Sequence, residues 1–195
     1  TDTVTRFFNG NTTGTTGFFD DMETTGNFAT NWAVSSGWNY STASMGGTAA
    51  FGGTRSLAES PSGNYIANVN NITARINRTF NFSTATMAYM TFWLKHRAEN
   101  GEDYMRVQVS TDGGTSWTSL SGRKTIVENA GRIGGIASYT GIQDTWIREY
   151  IDLQPYVGTG RTNVQLRFLF NSSAAVQNDG FFIDDVAVVS SSASS

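Results

Sequence analysis

The sequence predicts an all-β fold, a sandwich of two antiparallel sheets. Short runs rich in aromatic and β-branched residues recur along the chain. Gly-rich turn sequences separate them, and no stretch shows a convincing 3.6-residue hydrophobic period. A chain of 195 residues fits one such domain and is long enough to bury a sizeable core. Its 38% hydrophobic content, with 13 Phe, 5 Trp and 7 Tyr, belongs to a folded chain rather than a disordered one.

The elements follow in order. Residues 1–17 are mostly Thr, Asn and Gly around the pair Phe7-Phe8, and read as an arm or linker. A single sandwich domain is expected over 18–189, and 190–195 form a Ser-rich tail. A first strand is expected near 18–23, and a second over 31–36, where Trp32 and Val34 alternate with polar neighbours. Pro61 and several glycines make 52–65 a loop. Strands are then predicted over 72–82 and over 89–95, where Met90, Phe92 and Leu94 share a face. Another covers 104–109, and Asp112-Gly113-Gly114 reads as a tight hairpin turn after it. An irregular insert spans 124–141, and a strand spans 146–153, ending before Pro155. Val164, Leu166, Phe168 and Phe170 alternate with Asn163, Gln165 and Arg167, the cleanest period-2 pattern in the chain.

The last strand organises the chemistry. In Asp179-Gly180-Phe181-Phe182-Ile183-Asp184-Asp185-Val186-Ala187-Val188-Val189, strict alternation puts Phe182, Asp184, Val186 and Val188 on one face and Asp185 on the other. Whichever face is the core therefore carries a carboxylate. A lone buried carboxylate costs several kcal/mol or more, so it must be paired, protonated or bound to a metal. Pairing the first and last strands at one edge would bring Asp20-Asp21-Met22-Glu23 alongside. Two acidic clusters cannot neutralise each other, and oxygen-only donors favour calcium. Asp21, Glu23, Asp184 and Asp185 are the expected ligands, with Asp20 and Glu59 as further candidates and carbonyls near residues 53–56 completing the shell. The competing reading leaves these acids solvated at a sheet edge, or paired with Arg55 or Arg75.

Other chemistries find less support. A net charge of −3 argues against nucleic acid or an anionic membrane as partner, and no apolar run reaches the ~18–20 residues of a membrane span. Cys is absent and His96 is the only His, which disfavours zinc and leaves His96 as the sole imidazole base for a Ser-His-Asp triad. No Gly-x-Ser-x-Gly sequence appears. Carboxylate pairs for glycoside hydrolysis are not excluded by the sequence, but the metal explains the clustered acids better. Among the aromatics, Trp38, Tyr40 and Trp93 are the expected ligand-binding residues, since flat rings beside polar groups bind sugars. Trp117 and Trp146 are expected in the core. The Thr-rich, Cys-free composition suits a secreted, extracellular chain, and the absence of a leader before Thr1 reads as a mature chain or excised module.

Six stretches in fixed order carry a family resemblance: Phe19-Asp20-Asp21-Met22-Glu23; Arg55-Ser56-Leu57-Ala58-Glu59-Ser60-Pro61; the run from Asp103-Tyr104 to Asp112-Gly113-Gly114-Thr115-Ser116-Trp117; Ile151-Asp152-Leu153 with Tyr156-Val157-Gly158; residues 164–168; and Asp179-Gly180-Phe181-Phe182-Ile183-Asp184-Asp185. Together they resemble the MAM-like jelly-roll module attached to secreted bacterial peptidases, including the immune-inhibitor-A type, and to cell-surface adhesins. The resemblance implies a jelly-roll sandwich, a structural calcium (Ca2+) and a non-catalytic accessory role. Glu59 stands where the family often has Asp, and Asn171-Ser172-Ser173 where it often has an acidic residue, which speaks against a second metal site there. The expected partner is a polysaccharide or a protein surface. The alternative is a self-assembling subunit of a filament or surface layer, with Val4, Arg6 and Phe8 of the arm forming a donated strand.

Overall fold

The computed structural model describes residues 17–192. The expected arm, apart from Gly17, and the last three residues of the tail lie outside the described residues. The rest is two antiparallel sheets packed face to face, as predicted. The first sheet runs β3 (Asn39–Ser41), β4 (Ser56–Ala58), β11 (Gly180–Ser192), β6 (Ala85–Arg97), β9 (Ile142–Asp152), and β1 (Phe18–Asp20) also pairs with β11. The second runs β2 (Trp32–Val34), β5 (Ile72–Ile76), β10 (Gln165–Asn171), β7 (Tyr104–Ser110), β8 (Thr118–Ser119). Among the described residues, helix is confined to 3-10 turns at Thr25–Asn27 and Gln154–Tyr156 and to the four-residue α1 (Phe28–Asn31).

The core lies between the sheets. Val164, Leu166, Phe168 and Phe170 are all fully buried, while Asn163 is exposed and Gln165 and Arg167 are partly so, which matches the predicted alternation. Phe168 is the hub. Trp32 and Trp38 lie over it at 5.9 and 6.1 Å, and Phe92 of the opposite sheet meets it edge-on at 5.2 Å. Each such ring contributes roughly 1.5–3 kcal/mol by leaving water.

Three local expectations are corrected. The strand expected over 72–82 ends at Ile76, because Arg78 N–H turns back to Ile76 O at 2.7 Å. Phe80 still reaches the core, through bridges to Val164. The turn after β7 is a wide loop, since Val109 pairs with Thr118. Asp112 knits it together, accepting from Ser110 Oγ at 2.7 Å and from the N–H groups of Thr115 and Ser116 at 3.0 and 2.9 Å.

The third correction is the last strand. Asp184 faces Trp93 and Ala187 faces Thr91, so β11 advances three residues while β6 advances two. That is a β-bulge, and Asp185 sits in it with φ 49°, a conformation Asp tolerates better than most residues. Alternation therefore slips by one. Phe181 and Ile183 join the main core before the bulge, and Val186 and Val188 join it after. Phe182 belongs instead to a second cluster, with Met45 and Ala58.

The first strand does pair with the last, Phe18 opposite Val188 and Asp20 opposite Val186. β1 is an edge strand, since β11 is its one partner among the described residues, whereas β11 itself is internal. On its other side β11 pairs with β6, and β4 and β1 share its remaining side in succession, β4 at Phe182 and Ile183.

Candidate functional site

The acidic residues fall into three environments. Asp20 is buried and committed: its Oδ1 accepts from Met22 N–H at 2.9 Å, and its Oδ2 accepts from Trp32 Nε1 at 2.6 Å and from the Tyr40 hydroxyl. Glu59 is buried at the end of β4, where Oε2 accepts from Phe181 N–H at 2.9 Å and burial pushes its pKa up to about 8. Both carboxylates are thus engaged by donors from the protein itself.

Of the remaining four, Asp184 and Glu23 bind the backbone of residues 51–55, and Asp21 and Asp185 lie near enough to interact with each other. Asp184 is fully buried beneath that loop, its Oδ2 accepting from Phe51 N–H at 2.8 Å and Gly52 N–H at 3.1 Å, and burial raises its pKa to about 7. Glu23 accepts from the N–H groups of Thr54 and Arg55 at 2.9 and 2.7 Å. Burial alone would raise its pKa, but these donors outweigh burial and hold it low. Asp185 is raised by burial and then by the Asp21 carboxylate, with Arg148 opposing. Donor chemistry is thus all oxygen, and Asp21 and Asp185 repel one another. Among the described residues, however, no three acidic or imidazole side chains converge on a ready-made metal cage.

The aromatic candidates separate in the same way. Trp38 is 2% exposed and stacked on Phe168 in the core, so it offers no ring face to a ligand. Tyr40 spends its hydroxyl on Asp20 and its ring on Phe28, edge-on at 5.0 Å. Trp93 lies on the outer face of the first sheet, but Phe51 stacks on it at 3.7 Å. Conversely, Trp117 and Trp146, expected in the core, are only partly buried and lie on outer faces. Trp146 packs against the Met45, Ala58 and Phe182 cluster and over Lys95. Buried His96 stacks on Phe181 at 5.0 Å, its Nδ1 donating to Gly141 O at 3.1 Å, and burial lowers its pKa to about 4.

A feature the sequence did not disclose lies on the outer face of the second sheet. Register places Ala33, Arg75, Arg167, Gln108 and Ser119 in one row across all five strands. Arg167 Nε donates to Gln108 Oε1 at 2.8 Å, and its guanidinium lies 4.0 Å over the Trp117 ring. Trp117 is held in turn by its Nε1 donating to Gly114 O at 3.0 Å. At one end of this face the insert after β8 closes over the sheet, where Arg106 donates to Ser138 Oγ at 2.9 Å and Ile133 O at 2.8 Å. At the other end the face is open, and a cavity of about 410 Å³ is lined by Val34, Thr73, Arg75, Trp117, Gln165 and Arg167. Arg75 and Arg167 are 92 residues apart in sequence, so only the strand register unites them.

Comparison with known proteins adds the following. A family model described as immune inhibitor A-like, MAM domain matches residues 58–193. The chain is 28% identical over 181 residues to Bacillopeptidase F of Bacillus subtilis (strain 168), covering 92% of this chain and 11% of that protein. It therefore spans about a tenth of that relative's length. Among solved structures, the K1 cleaved adhesin domain of Lys-gingipain from Porphyromonas gingivalis W83 superposes with a TM-score of 0.52 at 13% identity, over 91% of this chain and 99% of that one. The CBM22-1 xylan-binding domain from Paenibacillus barcinonensis Xyn10C gives 0.53 at 10% identity, over 91% and 95%. At such identities the likeness concerns the fold.

Proposed function

The chain belongs to the immune inhibitor A-like MAM domain family, and from that premise we propose that it is a non-catalytic, extracellular binding module. It would act for a larger secreted protein, a peptidase on the analogy of the Bacillus relative, and its ligand is a polysaccharide. The observation that carries this reading is the open groove on the second sheet. It is shallow and open, of ligand size, and sets one large aromatic ring among several polar side chains, as a polar ligand such as a sugar needs. The xylan-binding domain of like fold supports the same reading by analogy alone. Catalysis is disfavoured by how the reactive groups are used. His96 is buried and neutral at physiological pH, and Glu149, also buried, accepts from the Tyr139 hydroxyl at 2.7 Å and from Tyr150 N–H at 2.6 Å.

The same reading includes a structural calcium. The site is not preformed: Asp21 and Asp185 would close on the ion, with Glu23, Asp184 and loop carbonyls near residues 53–56 as further oxygen donors. The role of the ion is to cancel the repulsion between Asp21 and Asp185 and so to tie β1, the covering loop and the bulge of β11 together.

Electrophoresis through native gels containing soluble polysaccharides tests the binding. The protein should be retarded by at least one polysaccharide, and Trp117→Ala should migrate as if none were present. A folded protein retarded by none of a broad panel would sink the reading.

A further inference from the structure

Arg75 and Arg167 stand directly opposite each other in the register of β5 and β10. Like charges so placed destabilise a strand pair, and two arginines side by side normally share a carboxylate. Here, among the described residues, the ion pairs belong to Arg97, and no carboxylate answers either groove arginine. Nor is the patch part of a generally basic surface, since the chain carries a net charge of −3. The guanidinium of Arg167 is oriented all the same. Its Nε is fixed by Gln108 and its plane by the Trp117 ring, so its terminal nitrogens are left over for a ligand. Arg75 makes only a long bond, Nη1 to Ile76 O at 3.4 Å.

We propose that the groove takes an acidic glycan, a uronate-bearing polysaccharide, with a sugar carboxylate seated between Arg75 and Arg167. This rests on the glycan-binding reading above and specifies its ligand. A planar carboxylate matches the guanidinium fork, and such charge-assisted bonds are the strong ones. Trp117 and Val34 supply the apolar walls. Gln165, Thr73 and Ser35 line the same cavity with amide and hydroxyl groups that can pair with the hydroxyls of a sugar. The ligand supplies the negative charge that the fold withholds, which explains why the sequence tolerates two opposed arginines here.

Isothermal titration of the full chain with polygalacturonate, its methyl ester, hyaluronate and polyglutamate tests the assignment. The expected result is binding to a uronate polymer and at least about tenfold weaker binding to the ester, which keeps the sugar and loses the charge. Arg75→Gln and Arg167→Gln should each weaken uronate binding by about tenfold or more, with an unchanged or raised melting temperature because the opposed charges are relieved. If the ester binds as well as the acid, or the arginine variants bind the acid normally, this assignment is overturned while glycan binding stands. Equal or tighter binding of polyglutamate overturns it in favour of an acidic protein partner. Failure with these polymers and with every neutral polysaccharide in the gel assay overturns both readings.

Discussion

Oε2 of Glu59 accepts the Phe181 N–H at 2.9 Å, joining the end of β4 to the start of β11 across 122 residues. Space around that bond is so tight that a Cβ on Gly180 would lie 1.8 Å from Glu59 Oε1. The glycine, with φ +85°, is therefore required twice over, by its backbone and by its neighbour.

Burial raises the Glu59 pKa from 4.5 to about 8. Between those values the folded chain keeps a proton that the unfolded chain has lost. Stability from this group is therefore fully present below about pH 4.5 and declines as pH rises through 8. Glu59→Gln, which keeps an acceptor for Phe181 N–H, should flatten the fall in melting temperature between pH 5 and pH 8. Equal slopes in the two proteins would show that Glu59 does not hold the proton.

Calcium is expected to stabilise the fold by RT ln(1 + [Ca]/Kd), about 2.7 kcal/mol at a hundredfold excess over Kd. A chelator should lower the melting temperature of the wild type. Asp185→Asn removes the charge while tolerating the left-handed backbone of the bulge, and it should remove the chelator response, as should Asp21→Asn. A metal-stripped wild-type sample whose melting curve ignores added calcium would rule the metal out.

Phe168→Ala removes the ring that Trp32, Trp38 and Phe92 share, and should cost roughly 3–5 kcal/mol in denaturant unfolding. A loss under about 1 kcal/mol would mean the site collapses around the gap, contrary to the packing described.

Lys95 is fully buried on the outer face of the first sheet. Its Nζ donates to Met45 O, Thr48 O and Thr48 Oγ1, and it lies 5.0 Å from the Trp146 ring. Lys95→Met leaves those carbonyls without their donor, at about 1–3 kcal/mol. Amide hydrogen exchange should rise within residues 42–50 and not in β6. Unchanged exchange there would show that other contacts hold the segment.

The sequence disclosed what depends on period and composition. Residues 164–170 alternate cleanly and lie as that pattern requires, and the first and last strands pair as was expected of them. What it hid depends on events that change no residue type. A bulge at Asp185 inverts the rule that assigned Phe182 and Val188 to one face, and nothing in Asp184-Asp185 marks which residue is extra. Trp38 and Trp117 traded expected places because burial of a tryptophan is set by what packs across from it. The Arg75–Arg167 pair needed the register of β5 on β10, a relation between strands rather than within either.

Because β1 runs antiparallel to β11 with Phe18 opposite Val188, the chain enters and leaves the described fold at the same end of one strand pair. Tension applied to the two flanks acts across that ladder and loads its hydrogen bonds in succession rather than in parallel. Three ladder pairs, from Phe18 to Asp20, join β1 to β11, and β1 is held further by the Asp20 bonds to Trp32 and Tyr40 and by Phe18 against the Trp32 ring. Within a longer chain pulled from both sides, these are the first contacts to carry the load, ahead of the ladder between β11 and β6.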